Sequence, residues 1–288
     1  MINICLEFST ESSNFTDISD YKTVYEKMYK PLISFLYAHQ ECPFSFYFSG
    51  LEFDFIRQKN PEFIEILRKL VNRKQVEILG GGYYNPVFPL LFPQDRTGQV
   101  ELLSSAIRKS VGKRPRGVSL CASAWDPSLV TSFETCGMEY VQLDSSLIPD
   151  DKNVFLPIVM ADRGKSIKII SIQNEFIPKQ NELPEDFIIR IKKAIEKKIK
   201  SSDFYQDADR VITISLTRYS VNTVLENNWL ERFLELTVNQ YSDDLKLSLP
   251  VNCVRNSKAF IQSYIHSGIS SDIAKWVTEP FKEIEVKG

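Results

Sequence analysis

Short β-rich apolar runs punctuate this chain, and between them apolar residues return at helical spacing. The runs INICLEF (2–8), FSFYFSG (44–50), VEILGGG (76–82), GVSLCAS (117–123), YVQLD (140–144) and VITISLT (211–217) predict strands. Two more, VFLPIVM (154–160) and SIKIISI (166–172), predict a β-hairpin around Asp162-Arg163-Gly164. Helical periodicity covers 21–38, where Val24, Met28, Leu32, Phe35 and Leu36 share a face. It also covers 61–73, which opens on Pro61 and carries Phe63, Ile64, Leu67 and Leu70. Further helices are predicted at 95–110 with Asp95 as N-cap, 127–136, 184–200 and 225–239. Gly98 stands three residues after Asp95, so that helix has no full capping box.

This alternation predicts an α/β fold: a parallel sheet with helices outside, closed or nearly closed into a barrel. In such folds chemistry gathers where strands end. GGGYYNP, CASAWDP, LDSS and SLTRYS all follow predicted strand C-ends, so they are expected to share a cleft. The helix within 187–202 sets Phe187, Ile188, Ile191, Ala194, Ile195 and Ile199 against a lysine face. Such a helix can lie on an anionic membrane, but Glu196 and flanking acidic segments dilute its charge. An outer barrel helix with a solvated lysine face is expected instead.

Composition removes several function classes. The 288 residues fit one large domain or two small ones, enough to bury a sizeable core. A net charge of −2 and a pI near 5.9 give no electrostatic case for nucleic acid. No apolar run is long enough for a membrane span, and the start MINICLEFST lacks the features of a secretion signal. A cytoplasmic protein without membrane contact is expected. Five scattered cysteines without a CxxC pair, and only His39 and His266, argue against disulfides, a metal site or a cofactor.

The pieces VYEKMYKPLISFL (24–36), SGLEFDFIRQKNPEFIEILRKLVNRKQVEILGGGYYNPV (49–87), PQDRTGQVELL (93–103), PRGVSLCASAWDPSLV (115–130) and CGMEYVQLD (136–144) occur in an order that resembles the N-terminal catalytic barrel of glycoside hydrolase family 57. A weaker likeness continues to SYIHSGISSDIAKW (263–276). The resemblance implies an incomplete (β/α)7-type parallel barrel of the glycoside hydrolase and deacetylase kind. It also implies one barrel domain over 1–288, without the family's C-terminal helical bundle and β-rich domains. Members act on α-glucans with retention, through a Glu nucleophile and an Asp acid/base about 5–5.5 Å apart.

Compared residue by residue, the family's chemistry is not where the resemblance puts it. The His-Gln-Pro expected after the first strand is Ser9-Thr10-Glu11-Ser12-Ser13, and the Tyr-Glu-Pro is Tyr84-Asn85-Pro86. The nucleophile position, three residues before Trp125-Asp126-Pro127, is Ala122, whose methyl cannot form a glycosyl bond. The acid/base position falls at Ile214 or Ser215, ahead of Arg218-Tyr219-Ser220, with no Asp or Glu between 211 and 225.

The expectation is therefore a pseudoenzyme that binds an α-glucan or oligosaccharide, or a protein partner, in a regulatory or scaffold role. The alternative is a divergent α-amylase or 4-α-glucanotransferase with relocated carboxylates. Glu7, Glu11, Asp126, Asp144 and Glu175 are its candidates, Asp126 and Asp144 foremost, although Asp126 also suits a helix cap and Asp144 a turn. A metal-dependent deacetylase is the third reading, weakened by the missing histidines. Among the rim aromatics Tyr83, Tyr84, Trp125 and Tyr219, the ones expected to face the groove are Tyr84 and Trp125, with Asn85 beside them as a substrate-binding residue. Gly80–Gly82 lack a phosphate-loop context and are expected to allow close chain approach.

Overall fold

The computed structural model describes residues 1–9, 18–149, 154–199, 208–218, 220–257 and 260–270. Its frame is a ring of parallel strands: β1 (Ile2–Ser9), β2 (Phe44–Tyr47), β3 (Val76–Ile78), β4 (Gly117–Val118) and β5 (Tyr140–Asp144). After the strand β6 (Ile158–Asp162), which lies outside the ring, the ring continues with β7 (Lys165–Ile172) and β8 (Arg210–Leu216). β1 pairs with β2 and β8, β2 with β3, β4 with β5, and β5 with β7, which touches β8. The bridge Gly80↔Val118 joins β3 to β4 and closes the ring at its thinnest point. β6 turns back antiparallel on β7, as the hairpin pattern predicts. Outside the ring, β9 (Leu245–Leu247) pairs with the start of β1 and β10 (Ile261–Gln262) with β6.

Helices cover the ring. α1 (Ile18–Val24) runs through a π-helical turn at Tyr25–Tyr29 into α2 (Lys30–Ala38). α3 (Gly50–Lys59), α4 (Pro61–Asn72), α5 (Pro93–Val111), α6 (Leu129–Thr135) and α7 (Pro184–Ile199) follow in turn. The chain then forms α8 (Val221–Leu225), α9 (Trp229–Glu235) and α10 (Pro250–Asn256). Phe187, Ile188, Ile191 and Ile195 of α7 are buried, so this helix packs as an outer barrel helix. The packing between β1, β2 and the first helices is aromatic: Phe8, Tyr29, Phe46, Phe48 and Phe63 meet mostly edge to face, with Phe46 stacked on Phe48.

The structure departs from the predicted elements in several places. α3 is absent from the periodicity, yet Ser49 caps it and accepts from the Glu52 backbone N–H at 3.4 Å. The Ser-x-x-Glu signature was there to be read. α5 begins at Pro93 with Phe92 at the N-cap, so Asp95 sits in the first turn and does not cap it. Proline fits that first position because its missing N–H would have had no helical partner. The predicted 225–239 helix breaks where Asn227 and Asn228 turn left-handed (φ 54° and 54°), leaving α8 before the break and α9 after it. The strands predicted to 50, 82 and 123 end at Tyr47, Ile78 and Val118; Gly50 instead opens α3, Gly80 holds the bridge to Val118, and most of the other residues build rim loops.

The lumen of the ring is polar. Glu7 lies in register with Ser45 and Ser215, and Ser45 with Glu77. Glu7 and Gln142 approach each other across the ring from β1 and β5, which directs both inward. Ser215 Oγ donates to Glu7 Oε1 at 3.2 Å, Tyr140 Oη to Glu77 Oε1 at 3.0 Å, and Val251 N to Glu77 Oε2 at 3.1 Å. Burial pushes the Glu7 carboxyl up to about 7 and that of Glu77 to about 8, against the opposing pull of these donors.

Tyr140 reaches Glu77 over a glycine. A β-carbon on Gly117 would stand 2.2 Å from Tyr140 Cζ. Gly117→Ala is therefore expected to destabilise the fold by about 3 kcal/mol, because the buried ring must shift and release Glu77. Chemical denaturation measures this, and an unchanged midpoint would show that the ring yields freely.

Candidate functional site

The C-terminal ends of the ring strands form a rim built from four loops. After β3, Gly80–Gly82 run close beside their neighbours: a β-carbon on Gly81 would meet Tyr47 Cε2 at 2.7 Å and the Ser119 carbonyl at 2.8 Å. The chain then turns at Asn85, whose φ of 49° lies in the left-handed region that asparagine tolerates. Its Oδ1 accepts from Tyr47 Oη at 2.9 Å, so the amide ties the β3 loop to the end of β2. Tyr84 is 59% exposed and anchored through its backbone N–H to Gln99 Oε1 at 2.9 Å. Its ring lies edge-on to that of Tyr83. Tyr83 donates its hydroxyl to Asp54, and that hydrogen bond raises the phenol to about 12.

After β4 the backbone takes a tight turn in which Ala122 and Ser123 both have positive φ, 56° and 46°. Ala122 accepts from Ser270 N at 3.2 Å, and Ser123 Oγ accepts from Asp144 N at 3.2 Å. Trp125 follows, and here the expectation of a groove-facing ring is corrected. Its side chain is 1% exposed and its indole N–H donates to Ile265 O at 3.1 Å. Its backbone pairs with Gly268, so the 263–270 segment covers it. A large ring with one polar edge gains most where the face is dry and the N–H has a partner. Asp126 accepts from Ser128 N at 2.9 Å, from Ser128 Oγ, and from Ser267 Oγ at 2.7 Å. The Ser128 and then the Ser267 hydrogen bonds hold it below the usual carboxylate range.

Asp144, at the end of β5, accepts from Ser146 N at 2.8 Å and from Asn174 Nδ2 at 2.7 Å. Of the two residues expected at the acid/base position, Ser215 points into the lumen toward Glu7, and Ile214 is buried. Glu175 is bound at the surface by Lys198 at 3.3 Å. Glu11, Tyr219, residues 10–13 and the end of the 263–276 likeness lie outside the described residues.

The fold thus joins Tyr47 to Asn85, Ser123 to Asp144 and Asn174, and Ser215 to Glu7, around the mouth of the ring. Asp126 belongs to the α6 entrance and the 267 segment. Among the described residues there is no group of three or more His, Cys, Asp or Glu placed to hold a metal. Three carboxyl-bearing positions escaped the sequence reading: the buried Glu52, bonded to Tyr29 Oη, the half-buried Asp54, bonded to Tyr83, and the buried Glu77. The Ser49 capping signature would have found Glu52; Glu77 sat unremarked inside a predicted strand.

Comparison with known proteins agrees with this frame. The chain is 28% identical over 274 residues to alpha-amylase 1 of Dictyoglomus thermophilum, covering 91% of this chain and 39% of that protein. The crystal structure of the 4-alpha-glucanotransferase from Thermococcus litoralis superposes with a TM-score of 0.74 at 22% identity, over 100% of this chain and 46% of that one. The alpha-amylase AmyC from Thermotoga maritima gives 0.72 at 12% identity, over 98% of this chain and 80% of that one. At these structural identities the likeness establishes the barrel alone, and the chain spans about two-fifths of the curated relatives it matches. The model of glycosyl hydrolase family 57 matches residues 7–255, and with that span inside a closed parallel ring this chain belongs to glycosyl hydrolase family 57.

Proposed function

We propose that this barrel binds an α-glucan or related oligosaccharide at its rim and does not cleave it by a retaining mechanism, serving a carbohydrate-binding, regulatory or scaffold role. The supporting observation is how the rim carboxylates are used. Asp126 and Asp144 each accept hydrogen bonds from their own turn and from a neighbouring segment, and Ala122 stands at the position where the resemblance expects a nucleophile. Retaining chemistry needs one carboxylate free to attack and one proton donor opposite it. The exposed face of Tyr84 is the surface on which a sugar ring would stack.

The second reading, a glucan hydrolase or transferase with relocated carboxylates, draws support from Glu7. Its carboxyl holds a proton up to about pH 7 and bonds Ser215, at the acid/base position. Its complete burial keeps it from a substrate in this conformation.

Incubation with maltoheptaose separates the two. The expected result is binding in a calorimeter, weakened about fivefold by Tyr84→Ala, with no change in chain length by chromatography. Release of smaller sugars, abolished by Asp126→Asn, Asp144→Asn or Glu7→Gln, would establish the second reading and overturn the first.

A further inference from the structure

A cavity of about 490 Å³ opens at the end of the barrel opposite the rim, where β3 and β4 begin. It exists because these two strands touch only through the Gly80↔Val118 bridge and splay apart before it. Its volume falls in the range of small-molecule sites. Val71, Ile107, Val111 and Val251 supply apolar wall.

The mouth is cationic. Lys74, Lys113, Arg114, Arg116 and Arg255 all line it. Two outlying carboxylates pair with three of them: Glu139 with Arg255 at 2.5 Å and Arg116 at 3.6 Å, and Glu101 with Arg114 at 2.5 Å. Positive charge therefore exceeds negative at the mouth, in a chain whose net charge is −2. Each guanidinium has five N–H donors, more than these pairs use. Lys74 stands on left-handed backbone (φ 62°) just after α4 and makes no ion pair among the described residues. The remaining carboxyl of the lining, Glu77, is turned toward Tyr140 and Val251 N, and burial keeps it largely protonated at neutral pH.

We propose that this pocket binds a small organic anion with an apolar body, an aryl phosphate or its like. The apolar wall takes the ring, and the lysine and arginine donors at the mouth take the phosphate oxygens. This site is separate from the rim and does not depend on whether the rim binds glucan.

Phenyl phosphate, inorganic phosphate and phenol, titrated separately into the whole chain by calorimetry, test it. Phenyl phosphate is expected to bind at least about tenfold more tightly than either fragment, and to weaken about tenfold as salt rises from low to molar concentration. Val251→Trp, which fills the cavity, is expected to abolish binding. Lys74→Glu, at an exposed and unpaired position, is expected to weaken it about tenfold without moving the thermal midpoint. Phenyl phosphate binding no tighter than inorganic phosphate would overturn the proposal, and so would affinity unchanged in the Lys74→Glu protein.

Discussion

Stability is expected to fall as pH rises from about 5 to about 8, by on the order of 5 kcal/mol, because Glu7 and Glu77 sit protonated inside the ring. Both carboxyls rise from an ordinary value of 4.5, to about 7 and about 8, with burial as the leading cause. The sign follows from proton counting. Above 4.5 the unfolded chain has released these protons while the folded chain still holds them. Their contribution is complete below the unfolded value and disappears as pH rises through the folded ones. Asp126 and Glu139 act in the opposite sense. Hydrogen bonds from Ser128 and Arg255 lower their carboxyls, so their contribution is lost in acid, below about pH 4.5. Maximum stability is expected near pH 5. Urea denaturation across this range checks it, and Glu7→Gln with Glu77→Gln should flatten the alkaline limb. A flat profile in the unaltered protein would mean that water solvates both carboxylates within the lumen.

Trp125→Ala is expected to cost about 4 kcal/mol, as large-to-small changes at buried aromatics do. The loss has two parts: a cavity beneath the 263–270 segment, and an Ile265 carbonyl left without its indole donor at 3.1 Å. Trp125→Phe should recover part of the packing and none of the hydrogen bond. Tyr84→Ala, at a mostly exposed ring, should change stability by no more than about 0.5 kcal/mol. The pair distinguishes the two aromatics by role, since one holds the rim together and the other is available to a ligand. Unfolding midpoints measure both, and a Trp125→Ala protein of native stability would contradict the buried placement.

The rim is a set of cross-loop ties. Asn85 illustrates it: a residue that cannot ionise accepts the Tyr47 hydroxyl at 2.9 Å and turns the chain at φ 49°. Asp144 gathers Ser146 and Asn174 from its own turn and from the loop after β7. Each arrangement uses lone pairs that a catalytic carboxylate would need for its substrate.

The amino-acid pattern alone determined the α/β alternation, the hairpin at Asp162-Arg163-Gly164 and the outer packing of α7, because periodicity of 2 or 3.6 records which face of an element is buried. The family resemblance added the expectation that Ala122, Asn85 and Ser215 stand at positions where relatives carry catalytic groups. The pattern could not show that Trp125 turns inward, since Ile265 and Gly268 lie some 140 residues away and only the closed ring brings them to it. Nor could it show that Glu7 and Glu77 face a shared lumen, or that β3 and β4 part to leave a cationic pocket. A side chain's direction and its proton depend on what packs against it, and in a barrel those neighbours come from strands far apart in the chain.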